Sequence, residues 1–322
     1  MVFCLFLSYS STGQRSVFYN VENLFYPEWD SINPDREFMP EGSKDWTFPK
    51  YYSRLQRLSK VILSLSDSNY QAPAIIGFAE IEEARVLDDL IHRTALTKIP
   101  YQYIHYESPD RRGIDVALIY RKDVFRLIDS KTLRFHWPEQ PDYRSRDMLY
   151  AQFEDSLHRS WHFVFCHWPS RYGGQQSSEP KRMAAAKILS GFLDSLELEA
   201  DELLLIMGDF NDEAHNRSLQ YLSCDSCQTP LLNLMEGRTV SKGSHRYKGE
   251  WAYLDQILIR PEMQKWTIAC EAFAPSFLLE DESKLPGKKP RRAFKGPFFG
   301  SGYSDHLPVY IDLIIKTQPL LD

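Results

Sequence analysis

At 322 residues, with 43% hydrophobic and 14% aromatic side chains, the chain can bury a sizeable core, and its composition excludes disordered and collagen-like classes. A formal net charge of −6 gives no general attraction for phosphate polymers, which argues against a tight, sequence-independent binder of long nucleic acid but leaves room for a local basic cleft. Five scattered cysteines (Cys4, Cys166, Cys224, Cys227, Cys270) make no disulfide framework, and the lone "CDSC" pair Cys224/Cys227 lacks the second ligand pair of a zinc site, so all read as ordinary thiols.

The chain opens on "MVFCLFLSYSSTGQ", residues 1–14, an apolar run without a basic leader that reads as a truncated export signal or else a tail; export is favoured over a cytoplasmic location. No later apolar run reaches the length of a membrane span, and the body is expected to be soluble and monomeric. Strands are predicted at "SVFYNV" (16–21), "APAIIGFAE" (72–80), "IDVALIYR" (114–121), "WHFVFCHW" (161–168), "ELLLIMGDF" (202–210), "LDQILIR" (254–260) and "LPVYIDLII" (307–315), from their length and their β-branched and aromatic content. Helical spacing of Tyr51, Leu55, Leu58, Ile62 and Leu65 predicts a helix over 50–66. A second is predicted over 180–198, from Ala185, Ile188, Phe192 and Leu196, with Pro180 in its first turn. Mixed strands and helices without repeat or linker predict one α/β domain over residues 15–317.

Polar residues cluster where these apolar runs end. Asn20 follows "VFY", Glu80 follows "IIGFA", His167 follows "FVFC", Asp209 and Asn211 follow "LLLIMG", and Asp305-His306 precede "LPVY". Strand ends share a rim, so such residues converge although far apart in sequence. Each has a plain alternative. Gly208 is expected to let the chain turn, so that Asp209 and Asn211 either orient a water and hold an oxyanion or close an Asx-turn. Glu80 suits a hard cation, with Asn20 and Glu22 beside it, or the N-terminus of a following helix. His167 with Arg171 suits a phosphate, or His167 packs beside Trp168; Asp115 is a candidate to orient it. His306 with Asp255 behind it has the form of a general base near neutral pH.

Taken in chain order, "YNVENLF", "GFAEIEE", "RRGIDVALIY", "HWPSR", "GDFND", "LDQILI" and "SDHLPV" resemble the motifs of the endonuclease/exonuclease/phosphatase superfamily, with its deoxyribonuclease-I-like fold, from about residue 15 to 315. The resemblance implies a four-layer α/β sandwich: two mixed β-sheets packed face to face, with helices outside. It implies Glu80 as principal ligand of Mg²⁺ (or Mn²⁺), with Asn20 and Glu22 close by and Asp305 completing the metal environment. It further implies His306 as general base with Asp255 as its partner, and Asp209 and Asn211 as the pair that positions the attacking water. His167 would bind phosphate with Asp115 as its orienter, and Arg171 and Arg112 would bind the substrate phosphate.

The function so implied is metal-assisted hydrolysis of a phosphoric ester, with a nuclease-like phosphodiesterase first and a phosphatase or phosphodiesterase on a small molecule or phospholipid headgroup second. The basic loop "KLPGKKPRRAFKGP" (284–297) could cradle a polyanion or be a solvated surface loop. A non-catalytic binding module is the remote reading, since every titratable position of the motifs is kept.

Overall fold

Each apolar run marked as a strand lies in one of two large sheets, because its side chains alternate between two dry faces. The computed structural model describes residues 13–28, 36–223, 229–238 and 243–315; residues 1–12 of the opening segment and the Cys224/Cys227 pair lie outside the described residues. The first half of the chain contains β1 (Gly13–Leu24), α1 (Phe48–Ser64), β2 (Ile75–Ile81), α2 (Ala84–His92), β3 (Tyr101–His105), β4 (Asp115–Arg121), β5 (Phe125–Leu133), β6 (Met148–Asp155) and β7 (Ser160–His167). The second half contains α3 (Gln175–Ser195), β8 (Leu203–Asp209), α4 (Arg217–Leu222), β9 (Leu232–Asn233), β10 (His245–Tyr247), β11 (Glu250–Ala252), β12 (Asp255–Ile259), β13 (Thr267–Ala272), β14 (Leu279–Asp281), β15 (Lys288–Pro290), β16 (Phe294–Lys295), β17 (Phe298–Phe299) and β18 (Val309–Ile314).

The two six-stranded sheets have the orders β13-β18-β1-β2-β4-β3 and β5-β6-β7-β8-β12-β9. Each is mixed, with one parallel pair at its centre: β1 with β2, and β7 with β8. Parallel neighbours require a long crossover. Helices α1 and α3 lie in those crossovers and cover the outer faces. On β7, Trp161, Phe163 and Phe165 point into the core between the sheets, while Val164 and Cys166 point out toward Ala185, Leu189 and Leu193 of α3. On β2, Ile75 and Ala79 face the other sheet, and Ile76 and Phe78 face Leu55, Leu58 and Ile62 of α1. Three apolar layers therefore separate four structural ones, the expected α/β sandwich. Among the described residues no helix is long and apolar enough to cross a membrane.

Two local expectations are corrected. Pro180 lies inside α3, not in its first turn, because the helix begins at Gln175. Its early turns are completed by side chains, with Arg182 Nη2 donating to the Gln175 carbonyl at 2.9 Å and Ser178 Oγ to that of Gly174 at 2.7 Å. Gly208 is not a turn: it lies within β8, where an added Cβ would stand 2.3 Å from the Cys166 carbonyl oxygen on β7, so glycine permits a close approach of two strands.

Candidate active site

Strand direction brings the polar ends together. β2, β7 and β8 finish at one rim with Glu80, His167 and Asp209, and β12, antiparallel to β8, starts there with Asp255 opposite Asp209. His167 is the register partner of Asp209 on the other side. β18 is antiparallel to β1, so the Asp305-His306 segment before it arrives at the same rim as Asn20.

The backbone there is irregular. Glu80 is an extra residue between Ala79 and Ile81, which pair with the consecutive Val116 and Asp115 of β4. It has φ 69°, and β1 shifts register alongside it through Glu22 and Asn23, each with φ 54°. Asn211 has φ 51°. Non-glycine residues in this left-handed region cost of order 1–3 kcal/mol each and persist where the surroundings enforce them, commonly at functional sites. A bulge re-aims a side chain, and here it presents the Glu80 carboxylate to the rim. The fully buried Arg54 of α1 holds the shifted part of β1 by donating from Nη2 to the carbonyl oxygens of Val21 and Glu22.

At the histidine end of the rim, His306 Nδ1 lies 2.7 Å from Asp255 Oδ2. Its Nε2 is left facing Asp209 Oδ2 at 3.7 Å, and His167 Nε2 faces the same oxygen at 3.7 Å. Asn20 Nδ2 donates to that oxygen at 3.1 Å, while Asp209 Oδ1 accepts from the Asn211 amide at 2.9 Å. Burial alone would lower the pKa of His306, but Asp255 and Asp209 outweigh it and hold the imidazole well above its ordinary value. Burial, with Asp255 nearby, pushes Asp209 up to about 7. Burial, with the Arg146 and Arg112 charges nearby, drives His167 the other way, well below the ordinary range. Ser304 secures the segment: its Oγ donates to the Asn20 carbonyl at 2.7 Å and accepts from the His306 amide at 3.1 Å. His245 of β10 backs His306, with ring centroids 4.8 Å apart.

At the acidic end, Glu80 Oε2 accepts from the Asn23 amide at 2.8 Å, while among the described residues Oε1 has only long contacts, 3.5 Å to Asn20 Nδ2 and 3.9 Å to His167 Nε2. A carboxylate oxygen with spare capacity, beside an amide and a second carboxylate, fits one hard divalent cation. Glu22 is not part of that donor set as expected. Its Oε1 accepts from Arg292 Nε at 3.0 Å and its Oε2 from the Ala293 amide at 2.9 Å, so it anchors the loop before the "SDH" segment. Asp305 is likewise paired with Arg292, at 2.9 Å. Asp209, Asp255 and His306 also lie close enough to share an ion, with donor atoms within 4.8 Å of one another. The Asp255–His306 hydrogen bond already commits the imidazole to the carboxylate, which suits a proton-transfer pair better than a ligand set.

Three expected roles take other partners. Asp115 does not orient His167: it pairs with His105 Nε2 at 3.1 Å and accepts from the Ser108 amide at 2.9 Å. The register explains this, since His105 stands opposite Ala117, placing it diagonal to Asp115 on the same face of the β3–β4 ladder. His167 Nδ1 is buried and has no hydrogen-bond partner among the described residues. Arg171 does not face a phosphate site. Its Nε donates to the Asn211 carbonyl at 2.7 Å and its Nη2 to Asn216 Oδ1 at 3.1 Å, stapling the loop after β8. Arg112 lies half exposed beside Asp110 in a neighbouring cavity.

Arg146, Ser304 and His245 belong to this region but were not singled out from the sequence, and Arg292 was read only as part of the basic loop 284–297. Arg146 and Arg292 lie in loops between strands, where no hydrophobic period marks them, while Ser304 adjoins "DH" and His245 lies on a three-residue strand.

A family model described as Endonuclease/Exonuclease/phosphatase family matches residues 16–315. Comparison with curated proteins finds no match. Among solved structures, an endonuclease/exonuclease/phosphatase family protein from Bacteroides thetaiotaomicron superposes with a TM-score of 0.60 at 17% identity, covering 95% of this chain and 99% of that one. A mannosyl-6-phosphatase from the same organism gives 0.59 at 17% identity, covering 94% and 100%. D. rerio TDP2 complexed with single strand DNA product gives 0.59 at 13% identity, also covering 94% and 100%. With the sandwich, the rim and the match along nearly its whole length, the chain belongs to the endonuclease/exonuclease/phosphatase family of phosphoesterase hydrolases.

Proposed function

We propose that the protein is a Mg²⁺-dependent hydrolase of phosphoric esters, nuclease-like in acting on diesters, with His306 as general base. The observation that carries this reading is the clamp on His306: Asp255 fixes Nδ1 at 2.7 Å, so Nε2 is the nitrogen presented to the cleft. A water between Nε2 and Asp209 would be oriented by both. Nε2 takes the water proton as the oxygen–phosphorus bond forms, and the ester oxygen leaves opposite it. Asn20 and Asn211 keep Asp209 in place. His167, held neutral by burial, can donate a hydrogen bond to a phosphoryl oxygen. A divalent cation held by Glu80, with Asn20 beside it, would supply a Lewis acid for a non-bridging oxygen.

A second reading, hydrolysis of a small phosphate ester, is favoured by the fate of the basic loop. Lys288 pairs with Asp281, Lys289 and Lys295 with Glu280, and Arg292 with Asp305, so most of its charge is answered within the protein. Similarity to a fold neighbour named as a mannosyl-6-phosphatase supports the same reading. The deciding experiment is a parallel hydrolysis screen with Mg²⁺ or Mn²⁺ on plasmid DNA, RNA, bis-p-nitrophenyl phosphate, sugar and inositol phosphates, and sphingomyelin. Turnover lost in chelator and in His306→Ala supports the proposal; no hydrolysis of any ester rejects it.

A further inference from the structure

A cavity of about 320 Å³ adjoins the rim, lined by Arg112, Arg146 and Lys181 with one acid, Asp110. It is joined to the centre through one atom. The Trp168 carbonyl oxygen accepts from Arg146 Nη2 at 2.6 Å and from Asn211 Nδ2 at 3.0 Å. Three cations against one carboxylate leave an excess of positive charge. Asp110 is shared between Arg146 Nη1, at 3.2 Å, and Arg112 Nε, at 3.8 Å.

Lys181, projecting from α3, forms no ion pair among the described residues; its ammonium lies over the Tyr143 ring, 4.3 Å from the centroid. Arg146 is only 6% exposed, and its buried Nε has no hydrogen-bond partner among the described residues. Its two terminal nitrogens are held by the Trp168 carbonyl and Asp110, so the guanidinium is a fixed positive charge in the cavity wall. At the mouth stands Tyr172, 93% exposed, next to Gly173 with φ +83°. An exposed aromatic ring there offers a flat face for a sugar or base.

We propose that this cavity is an anion subsite that receives a second phosphate of the substrate, so that preferred substrates carry a phosphate close to the ester that is cut. The inference rests on the phosphoesterase reading above and narrows its substrate class. The second phosphate could come from the next link of a nucleic acid strand or from a small bisphosphate. Both present the same dianionic or monoanionic oxygens to Lys181 and the two arginines.

The test compares thymidine 5′-(p-nitrophenyl phosphate) with the same compound bearing a 3′-phosphate. The added phosphate should lower KM about tenfold, the worth of one charge-assisted contact. Lys181→Gln should shrink the ratio between the two substrates and Lys181→Glu should abolish it; an unchanged ratio in both variants overturns the subsite. The two sources separate when a 3′-phosphorylated dinucleotide and a hexose bisphosphate are each compared with their singly phosphorylated counterparts. If neither nitrophenyl ester is cleaved, the phosphoesterase reading is decided by the full ester screen above, and the subsite is judged separately by calorimetric binding of inorganic pyrophosphate. Weaker binding to Lys181→Glu than to the wild type then supports it, and equal binding rejects it.

Discussion

His306 precedes β18 and Asp255 opens β12, yet Nδ1 and Oδ2 meet at 2.7 Å in a buried contact, and the strand carrying Asp255 runs directly beside Asp209. This fixes which imidazole nitrogen faces the cleft. It also raises the pKa of His306, because burial is outweighed by the Asp255 and Asp209 carboxylates. A general base works in its neutral form, so kcat/KM should rise with pH through a limb above the ordinary histidine value. Asp255→Asn removes the main raising charge, so that limb should move to lower pH while the maximal rate falls. A limb that stays in place, measured on bis-p-nitrophenyl phosphate, would separate Asp255 from the base. His306→Ala should lower kcat by on the order of 10²–10⁴ with unchanged circular dichroism.

Glu80 should control cation binding. Its Oε1 has only contacts of 3.5 Å or longer, and its backbone is held in a bulge with φ 69°. Glu80→Gln keeps the shape and the possible hydrogen bond to the Asn23 amide but removes the charge that a hard cation requires. Calorimetric titration should show Mg²⁺ and Mn²⁺ binding in the wild type and a large loss in the variant. Equal affinity would place the ion elsewhere. Glu22→Gln, by contrast, should leave cation affinity nearly intact and lower thermal stability, because Glu22 holds Arg292 and the Ala293 amide.

How much of this was legible in the sequence depends on the kind of residue. Asn20, Glu80, His167, Asp209, Asp255 and His306 all stand beside apolar runs buried on both faces, so the runs located them and strand direction gathered them. Asp115 was given the wrong partner, His167 in place of His105. His105 lies on a short strand that the sequence did not mark, and only the β3–β4 register, with His105 opposite Ala117, brings it to Asp115. Arg171 and Glu22 were misjudged for a related reason: their partners, the Asn211 carbonyl and Asn216 side chain for one and Arg292 and the Ala293 amide for the other, lie in loops that no residue pattern announces. Strands β5 and β6 were not foreseen. β5, "FRLIDSKTL", is at a sheet edge with much of its surface exposed, so it lacks the dense apolar run that marked the central strands.

Packing between the sheets makes a separate prediction. A Cβ added at Gly77 would lie 2.0 Å from Cδ1 of Phe165, whose ring fills the inter-sheet core. Real side chains do not approach so closely, so Gly77→Ala must displace the ring or part the sheets. Overpacking of this kind costs about 1–3 kcal/mol. Thermal denaturation should show the loss, and adding Phe165→Leu to Gly77→Ala should recover part of it. A Gly77→Ala melting temperature equal to the wild type would mean that the sheets are less tightly apposed than this contact requires.

The pH dependence of stability has a legible source far from the rim. His162 lies near the start of β7, its Nδ1 2.8 Å from the Tyr150 hydroxyl and its Nε2 3.1 Å from Ser160 Oγ. Burial lowers its pKa from the ordinary 6.5, although Glu202, 3.4 Å away, works in the opposite direction. The folded state therefore resists a proton that the unfolded chain accepts. Above about pH 6.5 both states are neutral at this position and its contribution to stability is complete. As pH falls through 6.5 the unfolded state gains protons first, and stability drops by at most about 1.4 kcal/mol per pH unit from this group, until the folded protein is protonated too. His167 and His245, also lowered by burial, act in the same direction, so the wild-type curve alone cannot isolate His162. His162→Gln can: it should be less stable than the wild type at pH 8, where hydrogen bonds are lost, and the gap should narrow as pH falls toward 5. Urea unfolding at pH 8, 6.5 and 5 measures this directly, and a gap independent of pH would show that His162 takes up its proton equally in both states.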